Sequence, residues 1–199
     1  MQKLLRRFPE AAARLLLSIA LLTTGTAAGA HGQHAHTHGL LSINVAIDAG
    51  SVTIELTTPL DNLVGFERAP RTDAERRRVA DAIARLEAAD RLFIPDPAAE
   101  CRLSKVSLSS EVLGIGGPGG RSGHAGHGSP GHPREHADLD ASIVFACGRA
   151  ELARFIDVKL FEQFKRLRSV EAQVASPQGQ VKRRLNAGSP RLSWGGSSR

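Results

Sequence analysis

Alternation is the first pattern along the chain. Leu41, Ile43, Val45 and Ile47 occupy every second position, and Val52, Ile54 and Leu56 repeat the rule after Asp48-Ala49-Gly50-Ser51. A period of two sends successive side chains to opposite faces of a strand, so the segment reads as two strands joined by a tight turn. Pairing across that turn sets Ile47 against Val52, Val45 against Ile54 and Ile43 against Leu56, which puts every large apolar residue on one face. Residues Pro59–Pro70 break the pattern as an irregular segment containing Gly65 and Phe66. The period then becomes helical: Thr72 and Glu75 form a T-x-x-E capping box, and Val79, Ile83 and Leu86 repeat at i, i+4 and i+7. Arg76, Arg77, Asp81 and Glu87 fall on the opposite, solvated face, so this helix is predicted to cover one side of a sheet.

Ile94-Pro95-Asp96-Pro97 interrupts the chain before a second hairpin with arms Cys101–Ser110 and Asp138–Cys147. If Cys101 faces Cys147, Leu103 faces Phe145, but the apolar phase then slips by one position to Val106 and Leu108. A β-bulge near Ser104-Lys105 absorbs the slip and places Val106 opposite Ile143 and Leu108 opposite Ala141. The hairpin tip, Gly114–His136, is dense in glycine, with Pro118, Pro130 and Pro133 among them. It has almost nothing apolar to offset its ordering entropy and is predicted to be a flexible, disordered insert. Further on, Ile156, Val158 and Leu160 alternate, Leu160–Phe164 reads as a short helix, and Val170, Ala172 and Val174 alternate again. Ser176-Pro177-Gln178-Gly179 is a turn before a last strand at Val181–Leu185, and residues 195–199 read as a disordered tail. The expected fold is α+β: antiparallel hairpins forming a sheet, covered by one or two helices, in a single domain spanning residues 40–194.

The first 30 residues change the picture of charge and compartment. Lys3, Arg6, Arg7 and Arg14 precede the apolar run Leu15–Leu22, and Ala28-Gly29-Ala30 supplies small residues suited to a signal peptidase. That is the layout of a cleaved export signal, and the run is far short of the roughly 20 residues that span a bilayer. No stable membrane insertion is expected after cleavage. Removing that segment's four basic residues and Glu10 from the chain's 26 basic and 20 acidic residues leaves 22 against 19. The net charge falls from +6 to +3, an ordinary balance. Lys182, Arg183, Arg184 and Arg191 cluster without interleaved aromatics, so nucleic-acid binding has no support. Cys101 and Cys147 are the only cysteines and are not spaced as C-x-x-C. In an oxidising compartment such a pair is expected to form a disulfide rather than a redox or metal site.

Chemistry is concentrated in the histidines. All eight fall in two tracts: His31, His34, His36 and His38 in an N-terminal arm (residues 31–39), and His124, His127, His132 and His136 in the insert. None lies on an apolar face, and such segregation reads as metal binding rather than as scattered structural histidines. Imidazole has a reference pKa of about 6.5 and can donate to a metal at neutral pH. His136, Asp138 and Asp140 alternate, so Asp138 is a candidate ligand or an acceptor that fixes an imidazole tautomer. The only Met is the initiator and the cysteines pair with each other, so Cu(I) lacks its soft donors, while imidazole with carboxylate suits Zn2+, Cu2+ or Ni2+.

These residues also carry a resemblance. A His-x-His-Gly start (His36, His38, Gly39) running into an alternating strand, Asn62-Leu63-Val64-Gly65-Phe66-Glu67 with Ala69-Pro70, an insert ending Glu135-His136-Ala137-Asp138, and Leu160-Phe161-Glu162-Gln163-Phe164 together resemble the ZrgA-like family of periplasmic zinc-uptake accessory proteins. The resemblance spans essentially the whole exported chain. It implies zinc binding in support of a high-affinity importer and no enzymatic activity; the leading reading is a scavenger that passes zinc to the importer's solute-binding component. The chain departs from it at Arg68, where relatives often carry His, leaving Glu67 as that segment's candidate donor. Two other readings use the same histidines. Cleavage after Ala30 would expose His31 as an N-terminal chelating brace for copper, in a binding protein or an enzyme. A passive metal buffer would need no partner at all.

Overall fold

The first hairpin forms in the register its apolar pattern requires. In a computed structural model, which describes residues 38–116 and 137–194, β1 (Leu40–Asp48) and β2 (Ser51–Pro59) pair antiparallel. Ile47 lies opposite Val52, Val45 opposite Ile54 and Ile43 opposite Leu56, and all six side chains are buried. The segment after β2 is not wholly irregular. It opens with a short helix, α1 (Leu60–Val64), closed by Gly65 in the left-handed conformation. Five residues are too few to show helical periodicity, but a glycine just after a helix is its ordinary punctuation. The longer helix α2 (Asp73–Glu87) starts at the predicted capping box: the Thr72 side chain accepts from the Glu75 N–H and Glu75 accepts from the Thr72 N–H. Its buried face, Val79, Ala82 and Leu86, joins the core.

Phe93–Pro95 forms a three-residue strand, β3, where the sequence reads as a chain break. It lies at the edge of its sheet, where proline is tolerated. Then come β4 (Cys101–Ser109) and β5 (Asp138–Cys147), paired as expected. Cys101 faces Cys147, Leu103 faces Phe145, the register shifts between Leu103 and Lys105, and Val106 then faces Ile143. A disulfide joins Cys101 to Cys147. The fold continues two residues past the expected start of the insert. Ser110 and Ile115 form an antiparallel bridge, Gly114 N–H donates to Glu111 C=O, and Gly116 packs against Ser109 too closely for any side chain. Ile115 is the reason, an apolar residue that packs on the core. The rest of the insert, 117–136, like residues 1–30 (where an export signal is expected), most of the arm and residues 195–199, lies outside the described residues.

The remaining elements are β6 (Phe155–Val158), α3 (Leu160–Gln163), β7 (Ser169–Ser176), β8 (Gly179–Leu185) and β9 (Arg191–Ser193). Six strands form one sheet in the order β4-β5-β2-β1-β7-β8, and β3-β6-β9 form a second. The fold is thus α+β and mainly antiparallel. One neighbouring pair departs from the expected hairpins: β1 and β7 run parallel, with Leu41 level with Val170 and Val45 with Val174. One face of the large sheet supplies Leu41, Ile43, Ile54, Leu56, Leu139, Ile143, Phe145 and Val170 to the core. Phe93, Ile156, Val158 and Leu192 of the small sheet, and Leu160 and Phe161 of α3, belong to the same apolar cluster. At such sites loss of a Leu or Ile side chain to Ala costs about 2–5 kcal/mol. The core holds the large sheet's strands in place, and with them the residues at their ends.

Candidate functional site

Both histidine tracts meet the sheet at the same end. The arm enters at β1 beside the end of β2, and the insert returns into the start of β5 on the other side of β2. Pro59 pairs with Asp138, and Leu60 N–H donates to Ala137 C=O over 2.8 Å. The register of β1 with β2, continued from Ser42 opposite Thr57, brings Leu40 level with Pro59. Arm and insert therefore join the fold two strand spacings apart, about 10 Å. The outgoing side of the insert is tied in as well, since Ser110 Oγ donates to Asp138 C=O over 2.7 Å. Asp140 sits one pleat further along the open face of the sheet, where Thr57 Oγ1 donates to its carboxylate over 2.7 Å.

His38 is the described histidine, and its surroundings are polar on one side. Its Nδ1 lies 3.3 Å from Asp61 Oδ2 and 3.6 Å from Glu67 Oε1. Asp61 sits in the first turn of α1 and is 8% exposed. A buried carboxylate needs a partner, and Arg166 supplies it: Nη2 donates to both carboxylate oxygens, over 2.8 and 2.9 Å, and Nε donates to the Asp61 carbonyl. Asn62, 1% exposed, holds the chain that follows His38. Its Oδ1 accepts from Gly39 N–H over 2.6 Å, and its Nδ2 donates to Leu40 C=O and to Thr58 Oγ1. The Gly39 carbonyl in turn accepts from Arg168 N–H and Ser169 N–H. Gly39 has φ +83° and a Cβ there would lie 2.8 Å from Arg168 Cγ, so only glycine fits. The chain is thus clamped from both sides one residue after the imidazole.

Arg68 is engaged elsewhere. Its guanidinium donates to both carboxylate oxygens of Glu75, over 3.0 and 2.7 Å, and lies 4.9 Å from the Phe66 ring centre. The Arg68 hydrogen bond, followed by one from the Arg71 N–H, lowers the Glu75 pKa to about 2. Arg68 thus secures the start of α2.

Of the residues singled out in the sequence, His38, Glu67 and Asp138 are described, with Glu67 3.6 Å from His38 Nδ1 and Asp138 at the same sheet end. His31, His34, His36, His124, His127, His132 and His136 lie outside the described residues. Among the described residues no three His, Cys, Asp or Glu side chains converge as a complete metal-ligand set. What is present is a held imidazole with two carboxylates beside it, at the point from which both tracts depart. Asp61 is the residue that sequence reasoning missed. Its signal was its place directly before Asn62, in the first turn after Pro59, and its contact with His38 spans 23 positions.

Imidazole and carboxylate are donor types that divalent transition metals accept, and among the described residues this sheet end supplies part of such a set. A family model described as ZrgA family zinc uptake protein matches residues 35–194, most of the chain, and the chain belongs to that family. No curated protein matches it. No helix among the described residues is long and apolar enough to cross a membrane.

Proposed function

We propose that this chain is an exported, periplasmic, non-enzymatic protein that scavenges zinc and passes it to the solute-binding component of a high-affinity importer. Membership of a zinc uptake family supports the metal. The observation that carries the reading further is the joining of both histidine tracts to one end of the sheet, at His38 and at Asp138. A tight site there draws on His38, His136 and Asp138, while His31, His34, His36, His124, His127 and His132 bind zinc more weakly and raise its local concentration. Ligands fixed by the sheet avoid a backbone ordering cost of about 1–2 kcal/mol per residue that ligands among Gly and Pro must meet. The disulfide fits an oxidising compartment.

The test has three arms. Intact mass of the protein from the periplasmic fraction is expected to show a chain starting at His31; retention of residues 1–30 would overturn export by cleavage. Deleting the gene is expected to impair growth only under zinc limitation. In vitro, the zinc-loaded protein should transfer metal to the importer's solute-binding protein faster than free chelator of equal affinity does. Equal rates would leave a passive buffer, and a defect under copper rather than zinc limitation would overturn the metal assignment.

A further inference from the structure

Which nitrogen of His38 can meet a metal depends on what the other one faces. Nδ1 lies 3.3 Å from Asp61 Oδ2 and 3.6 Å from Glu67 Oε1. An ionised carboxylate only accepts hydrogen bonds, and a neutral imidazole has a single N–H. Two acceptors beside Nδ1 therefore place the proton there and leave the Nε2 lone pair free, on a side chain that is 69% exposed. The nearer acceptor is itself fixed. Arg166 Nη2 binds both Asp61 oxygens and Arg166 Nε binds its carbonyl. With a guanidinium already on both oxygens, Asp61 is poorly suited to take a second cation and well suited to orient a neighbour. The next residue, Asn62, grips the backbone on the C-terminal side of His38 at Gly39 N–H and Leu40 C=O. Consecutive residues of one helical turn thus hold the ring and the chain that carries it.

We propose that Asp61 is a positioning residue for metal capture: it locks His38 in the Nδ1–H tautomer and turns Nε2 outward as the donor atom, with Arg166 fixing the carboxylate. The inference rests on the reading of His38 as a zinc ligand. A carboxylate–imidazole–metal relay of this kind sets both ring orientation and ligand basicity.

The test is a long-range 1H–15N spectrum of the 15N-labelled, metal-free chain at about pH 8, where ordinary imidazole is neutral. The His38 signals are identified by their loss in His38→Ala. The expected result is a proton on Nδ1 and an acceptor-type Nε2 resonance, which shifts when zinc is added. Asp61→Asn should move the tautomer towards Nε2–H and weaken zinc binding at the tight site about 10–100-fold, while Glu67→Gln leaves the tautomer in place. A wild-type His38 protonated on Nε2 would overturn the proposal, and that measurement needs no variant to fold. So would an Asp61→Asn protein with unchanged tautomer and affinity. A proton on Nδ1 with an Nε2 resonance unmoved by zinc would instead remove His38 as a ligand, and with it the capture role of Asp61, while the tautomer lock stands.

Discussion

Cutting the cross-link between Cys101 and Cys147 perturbs the fold at the end of the second hairpin remote from His38. The two residues are 46 positions apart. On chain-entropy grounds, closing a loop of that length in the unfolded state stabilises the native protein by about 4 kcal/mol at 25 °C. For a domain of this size each kcal/mol corresponds to about 2–4 °C in Tm, so reduction should lower Tm by about 8–16 °C. The assay is thermal unfolding with and without a phosphine reductant, in chelator so that thiol–zinc binding does not intrude. A Cys101→Ala/Cys147→Ala protein is the control, since its Tm should be low and insensitive to reductant. The disulfide staples the start of β4 to the end of β5, whereas the insert leaves from the other end of both strands. Zinc affinity measured well below the lowered Tm should therefore change little. Free thiols titrating in the native, air-exposed protein, or equal Tm values with and without reductant, would show that no cross-link stabilises the hairpin base.

Other consequences follow from the clamp and the capping box. Gly39→Ala forces a side chain into the left-handed region and against Arg168 Cγ; it should destabilise the fold by about 1–3 kcal/mol in denaturant titrations and weaken zinc binding, and a neutral effect would contradict the clamp. Glu75 has its pKa lowered from 4.5 to about 2 in the folded state, so its contribution is present above the unfolded value and lost as pH falls through the folded one. Calorimetric Tm should decline over that acid range more steeply in the wild type than in Glu75→Gln, and parallel profiles would remove Arg68–Glu75 from the stability account.

What was legible in the sequence was local. The two hairpin registers, the bulge at Leu103–Lys105 and the Thr72–Glu75 box all depend on residues close in the chain or on an apolar phase that a single insertion explains. The parallel partnership of β1 and β7 has no local signature, because both strands alternate as any half-buried strand does. β3 and β9 have three residues each, too few for a period, and Pro95 reads as a break until the edge position of β3 is known. At the site, His38 and Asp138 could be picked out because histidine tracts are unusual in composition. Asp61 and Arg166 could not, since an acid and a base 105 positions apart are unremarkable until the fold brings them together.

Isothermal titration of zinc into the metal-free protein, compared across three variants, separates a zinc site anchored by the sheet from a flexible one. Deleting residues 117–133 should lower the number of ions bound and leave one tight site, because the sheet end that carries His38 and Asp138 is untouched. His38→Ala and His136→Ala should each abolish or strongly weaken that tight site while the weaker binding persists. If the deletion removed all tight binding and neither histidine substitution changed it, the site would not be anchored by the sheet, and the chain would act as a flexible metal sponge.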